Sequence, residues 1–225
     1  GDKRLLTLIP GSWHPGLRWG WHHLTLRGSR RVVEWRMRRR ARNLDTFNGR
    51  LTYKMLHDRR AQLPALADKV RVKDYVESVL GPGWVAKTYC VSESAGEIDW
   101  DRVPRDFVAK VNHGSGGVVM VTDDAPVSAR LPEIGSAHGW DRFRVRPEHA
   151  DRERIGDLCR HWLTLDYSWD RGQACVQWCY SDIPRRVMVE ELLRDASGNH
   201  PREYRLFVIS GSVRFIQIEM DVFAD

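Results

Sequence analysis

The sequence predicts an α/β (α+β) fold, and three observations carry that reading. Helical apolar spacing opens the body of the chain from Asn43 to Leu80, short strand-like segments then flank a glycine-rich loop, and a β-hairpin signature stands near the end. With 225 residues, 42% hydrophobic and 29% charged, the chain can bury a substantial core. No apolar run approaches the roughly 18 residues that cross a bilayer, and Leu5 to Pro10 is too short for a signal-peptide core, so a cytoplasmic protein is expected.

The net charge of +6 is unevenly placed. Residues 1 to 42 hold 11 of the 36 Lys and Arg against two acids, Asp2 and Glu34, a charge of +9 that leaves −3 on the rest. A slightly acidic body does not suit a basic-patch DNA-binding domain, and no nucleic-acid partner is expected. Within this lead segment Trp13, Trp19, Trp21 and Trp35 alternate with arginine. Tryptophan and arginine together suit an anionic membrane surface or polymer. The competing reading is a lead-in helix that packs Val32, Val33, Trp35 and Met37 and exposes its arginines.

From Asn43 the spacing of Leu51, Met55 and Leu56 predicts a helix, ended at Leu63-Pro64. A second helix runs from Asp68, a fitting N-cap, to Leu80, where Gly81-Pro82-Gly83 closes it. The period then changes. Strands are predicted at Ala86–Ser92, Asp106–Val111 and Val118–Thr122, the last two separated by His113-Gly-Ser-Gly-Gly117. Residues 125 to 147, rich in Pro, Gly and Arg, read as a connection. A helix from Glu148 to about Asp166 would turn Leu158, Trp162 and Leu165 inward. Val187-Met188-Val189 forms a short strand running into Glu190 and Glu191, and Glu203–Ser210 with Val213–Met220 form the hairpin around Gly211-Ser212. A hairpin with an apolar face needs cover from other elements.

The four cysteines include no CxxC pair and read as reduced, mostly buried thiols in a reducing compartment. His22-His23, His57, His138 and His161 show no ligand spacing. Ser115 has no identifiable base and no G-x-S-x-G setting, so a serine-hydrolase reading has no support. Lys110 followed by the glycines of residues 113–117 suits a nucleotide's phosphates, because glycine backbone approaches an anion closely and lysine adds charge. The same residues also fit a plain hairpin loop. The P-loop order is absent, and a strand rather than a helix follows.

Four separated pieces match one pattern in order: Leu51-Thr-Tyr-Lys-Met-Leu-His-Asp-Arg-Arg60, Leu66-Ala-Asp-Lys-Val-Arg-Val-Lys-Asp-Tyr-Val76, Phe107-Val-Ala-Lys-Val-Asn-His-Gly-Ser-Gly-Gly117 and Tyr204-Arg-Leu-Phe-Val-Ile-Ser-Gly-Ser-Val-Arg-Phe-Ile-Gln-Ile218. Over roughly residues 45 to 225 the sequence resembles the ATP-grasp superfamily, in its TupA-like branch linked to teichuronopeptide and other surface-polysaccharide biosynthesis. The basic lead segment over 1–42 is left unexplained by the resemblance and a helical region over 43–83 follows from the spacing, while the resemblance implies a small lobe over 84–192 and the start of a second lobe over 193–225, whose remainder would lie beyond Asp225.

It also implies roles. Lys69 and Lys110 resemble the two lysines that contact the nucleotide, and His113, Gly114, Ser115, Gly116 and Gly117 look like the lid over its phosphates. Of Glu190 and Glu191 in the hinge strand, one would take the ribose hydroxyls. Arg205 would meet the transferred phosphoryl group. The implied cofactors are ATP and Mg²⁺; Glu219 and Asp221 are acids in the neighbourhood of the family's metal-binding stretch, but the same two carboxylates fit a solvated hairpin edge, and no metal ligand is assigned. The implied activity is carboxylate–amine ligation through an acyl phosphate, and the branch's link to surface polymers implies glycan-linked substrates. The rivals are a non-catalytic nucleotide-binding module and a surface-recruitment protein that uses its Trp/Arg arm.

Overall fold

The computed structural model describes residues 30–170 and 175–219. Trp13, Trp19, Trp21, His22, His23, Met220 and Asp221 therefore lie outside the described residues. The fold is mixed α/β, as the sequence predicts, and it divides into two compact units.

The first unit takes the described residues up to Tyr75, with Asn112–Ser115 and Thr164–Arg185. Helix α1 covers 30–40. Val33, Met37 and Ala41 are buried at a spacing of four, one stripe of a helix. The Met37 sulfur accepts the Val176 N–H at 3.4 Å. Val32 and Trp35, expected to pack inward, are 46% and 58% exposed, because they lie away from that stripe.

Helix α2 (Phe47–His57) starts later than expected, at a Thr46 cap whose hydroxyl accepts the Gly49 N–H at 3.0 Å. It buries Gly49 and Thr52 rather than Leu51, which is 46% exposed. Gly49 is obligatory, since a Cβ there would sit 1.7 Å from the Asn43 carbonyl oxygen.

Pro64 does not end a helix. It lies in the first turn of α3 (Gln62–Ala67), where no intrahelical partner is required of its nitrogen. Asp68 then begins the next turn as expected, its carboxylate accepting the Val70 N–H at 2.9 Å, although regular α4 (Arg71–Leu80) starts three residues later. Gly81, with φ +83°, donates to the Glu77 carbonyl and closes it. Trp178 ties the unit together: its indole N–H donates to the Asp58 carbonyl at 2.9 Å, and the Arg59 guanidinium lies 4.8 Å from its ring centroid.

The second unit is built on a sheet. Strands β1 (Thr88–Ser92), β2 (Phe107–Val111), β3 (Val118–Val121) and β4 (Arg142–Val145) take the late strand Val187–Glu190 between β1 and β2. A two-stranded ribbon, β5 (Trp169–Asp170) with β6 (Cys175–Val176), belongs to the first unit, so the inserted strand is β7. Neighbours in the order β1-β7-β2-β3-β4 are antiparallel except β3 and β4, which are parallel. Strand β4 falls within the expected 125–147 connection. Its Arg-Phe-Arg-Val sequence is too short and too basic to announce a strand, and pairing with β3 creates it.

β7 and most of β2 are buried on both faces and so lack alternation. Helix α5 (Arg152–Leu163) packs Ile155, Leu158, Cys159 and Trp162 into this core. The Asp151 carboxylate caps it by accepting the Glu153 and Arg154 N–H groups. Trp162 stacks on Phe143 with centroids 6.3 Å apart and donates to the His138 carbonyl at 3.1 Å. Leu165 lies beyond the helix and is only half-buried.

The hairpin of β8 (Glu203–Ile209) and β9 (Ser212–Glu219) turns at Ser210-Gly211, both at positive φ, one residue earlier than expected. Its described side chains from Glu203 to Ile218 are exposed. No helix among the described residues is long and apolar enough to cross a membrane.

Candidate functional site

In the second unit, Lys110 and Glu190 form an ion pair between neighbouring strands. Lys110 stands opposite Met188, and Glu190 lies two residues on along β7, the diagonal position that long side chains reach. Both side chains are largely withdrawn from water, 19% and 9% exposed, so each is the other's replacement for lost hydration. The two acids of β7's end therefore differ. Glu190 is committed to Lys110, whereas Glu191 is exposed, pairs its backbone N–H with the Lys87 carbonyl at 2.8 Å and accepts the Lys87 N–H on its carboxylate. Tyr89, partly buried and near Glu191, has its phenol pKa pushed up by burial first and by that carboxylate second.

The glycine loop is packed at every position but one. Asn112, His113, Gly114, Gly116 and Gly117 are buried, and Ser115 is exposed. In the second unit, a Cβ on Gly116 would come within 2.5 Å of the Trp140 backbone and 2.6 Å of the Gly139 carbonyl oxygen. Gly117, at φ +63°, donates its N–H to the Asp141 carbonyl at 3.1 Å. In this conformation the glycines serve close packing and a tight turn.

In the first unit, Asn112 is the centre of a polar node. Its side-chain amide donates to the Asp68 carboxylate at 2.9 Å and to the Pro184 carbonyl at 2.8 Å, and its carbonyl accepts the Lys69 N–H at 3.2 Å. The Lys69 ammonium donates to the Gly114 carbonyl. His113 donates from Nε2 to the Leu165 carbonyl at 3.3 Å and meets Tyr167 edge-on, 5.2 Å between centroids. Its Nδ1 is buried without a partner among the described residues, as is Asp68 Oδ2. Burial above all, with Arg185 and Lys69 adding repulsion, lowers the imidazole pKa to about 4 despite the Leu165 bond. The ring is neutral at physiological pH.

The structure thus brings Lys69, His113 and Gly114 into one node and Lys110 and Glu190 into one pair. Arg205 is an exposed residue of β8 opposite Gln217, and its own guanidinium donates to the Glu203 carboxylate at 3.1 Å. Sequence reasoning missed Asn112 and gave Asp68 only a capping role. The Val-Asn-His step at the end of an apolar strand was the available signal, since a buried asparagine there needs partners. Tyr167 and Trp140, which give Gly114 and Gly116 their purpose, carried no local signal. Among the described residues no group of three or more His, Cys, Asp or Glu is placed to hold a metal ion.

Searches of curated proteins and of solved structures found no match. A family model does match, and it covers Lys69, Lys110, the glycine loop and the segment as far as Ala129. That model, described as TupA-like ATPgrasp, matches residues 49–129, and over that segment the chain is similar to the family.

Proposed function

We propose that the chain binds ATP and serves carboxylate–amine ligation in the synthesis of a cell-surface polymer. The observation that carries this reading is a withdrawn cation, Lys110, inside the matched segment and three residues before the glycine loop. A lysine ammonium has three donors, and Glu190 takes one, so donors remain for phosphate oxygens. Glu190 orients that ammonium and offsets its burial. This leaves Glu191, exposed beyond the strand, as the acid for the ribose hydroxyls. Lys69 is assigned to the phosphates as a second cation, His113 as a neutral hydrogen-bonding ring, and Arg205 to the reacting phosphoryl group. Ser115 and the glycines from Gly114 to Gly117 form the lid, which must leave its packed state to close on a ligand.

The chemistry ATP supplies is activation of a carboxylate as an acyl phosphate, which an amine converts to an amide. Mg²⁺ goes with the family, but the described residues do not by themselves make a metal centre.

Calorimetric titration with a non-hydrolysable ATP analogue, with and without Mg²⁺, tests the reading. Lys110→Ala should weaken binding by about 1.5–3 kcal/mol, the range for hydrogen bonds to charged groups. Unchanged affinity removes Lys110 from the site. Binding of the analogue by the parent chain, with no phosphate released when ATP itself is supplied with carboxylates and amines, would favour a non-catalytic nucleotide-binding module.

A further inference from the structure

Helix α1 has two faces of different character. One, made by Val33, Met37 and Ala41, is buried in its own unit and anchored through Met37. The other is outward. Val32 and Trp35 are three residues apart and 46% and 58% exposed, so they share one side of the helix. Arginines frame them: Arg31 and Arg39 stand four residues before and after Trp35, Arg38 three after it, and Arg36 four after Val32, all exposed. The Arg39 guanidinium lies 5.7 Å from the Trp35 ring centroid. The helix has a single acid, Glu34, and Arg30 engages it at 3.3 Å.

We propose that this outward face of α1 is a docking surface for an anionic lipid bilayer. An apolar centre edged by cations is the pattern of a helix lying in a membrane interface. The indole and the valine enter the headgroup boundary, and the arginines reach lipid phosphates from either flank. A polyanion in water would use the arginines but would gain nothing from exposed Val32. Because the inner stripe already holds α1 on a folded body, binding carries no cost of forming the helix. The surface is independent of the nucleotide reading.

The test is co-sedimentation of the full chain with vesicles of phosphatidylcholine alone or with about 30% phosphatidylglycerol, at low salt. The parent chain should bind only the anionic vesicles. Each arginine near such a surface contributes about 1 kcal/mol, roughly fivefold in partition, so R36Q/R38Q/R39Q should lose binding on the order of a hundredfold. W35A, at an exposed position that leaves folding intact, should lose about tenfold, whereas R102Q/R142Q/R202Q should lose far less than R36Q/R38Q/R39Q. Equal binding to both vesicles, or equal losses in the two triple variants, overturns the proposal. So does W35A binding like the parent while soluble polyphosphate captures both, which would make the face a general polyanion site. If R36Q/R38Q/R39Q misfolds by circular dichroism, W35A and the low-salt comparison of the two lipids decide.

Discussion

Lys110 and Glu190 pair across adjacent antiparallel strands whose sequence positions are eighty residues apart. Lys110→Ala would leave the Glu190 carboxylate withdrawn from water without its cation. We expect about 2–3 kcal/mol of destabilisation, below the range for a fully buried pair. Replacing both together, Lys110→Met with Glu190→Leu, should recover most of it. Urea denaturation of the two variants checks this, and equal midpoints would show that the pair does not hold the strands.

His113 makes stability depend on pH. Its pKa falls from an ordinary 6.5 to about 4 on folding, so between those values the unfolded chain binds a proton that the folded chain refuses. The neutral ring's contribution is complete above pH 6.5 and is lost as pH falls to about 4, on the order of 3 kcal/mol in all. Denaturant midpoints at pH 7 and pH 5 should therefore separate less in His113→Asn than in the parent chain. An equal separation would refute the account.

Gly114 and Gly116 should respond differently to alanine. At Gly114 the new methyl would meet the Tyr167 ring at 2.7–2.9 Å, and a side chain can yield. At Gly116 it meets backbone, which cannot. We expect Gly116→Ala to be the more destabilising, by more than about 2 kcal/mol, and Gly114→Ala to be relieved by Tyr167→Leu. Thermal melts of the three variants decide, and a rescue of Gly116→Ala by the tyrosine change would contradict the packing described.

Cys159 is fully buried beside Trp162, and burial pushes its thiol pKa to about 12. At pH 8 it should not react with a thiol reagent until the chain unfolds, whereas Cys90, only half-buried, should react first. Peptide mapping of labelled cysteines after brief exposure reads the order. Early labelling of Cys159 would mean that α5 opens readily from the sheet.

The strands β1, β2 and β3, the hairpin and the end of α4 at Gly81 were legible because their signals are local: apolar runs, turn residues and a glycine that takes positive φ. Strand β4 and the insertion of β7 between β1 and β2 were not, since a strand's partner is chosen over long sequence distances and Arg142-Phe-Arg-Val145 has little strand character alone. The Pro64 reading failed for a related reason. Proline excludes a helix interior but not a first turn, and only the neighbouring residues decide which one it meets.

Residue chemistry alone singled out a lysine before a glycine loop and an arginine-rich start, while the second lysine and the two adjacent acids came with the family resemblance, whose model matches residues 49–129. What each group is committed to was decided by tertiary structure. Glu190 and Glu191 are neighbours of the same type, yet one is buried against Lys110 and the other faces water. Val33 and Trp35 are two residues apart on one helix, yet one faces the core and the other solvent. Burial sets the cost of leaving a charge or an indole where it lies, and burial depends on which distant segments fold against it.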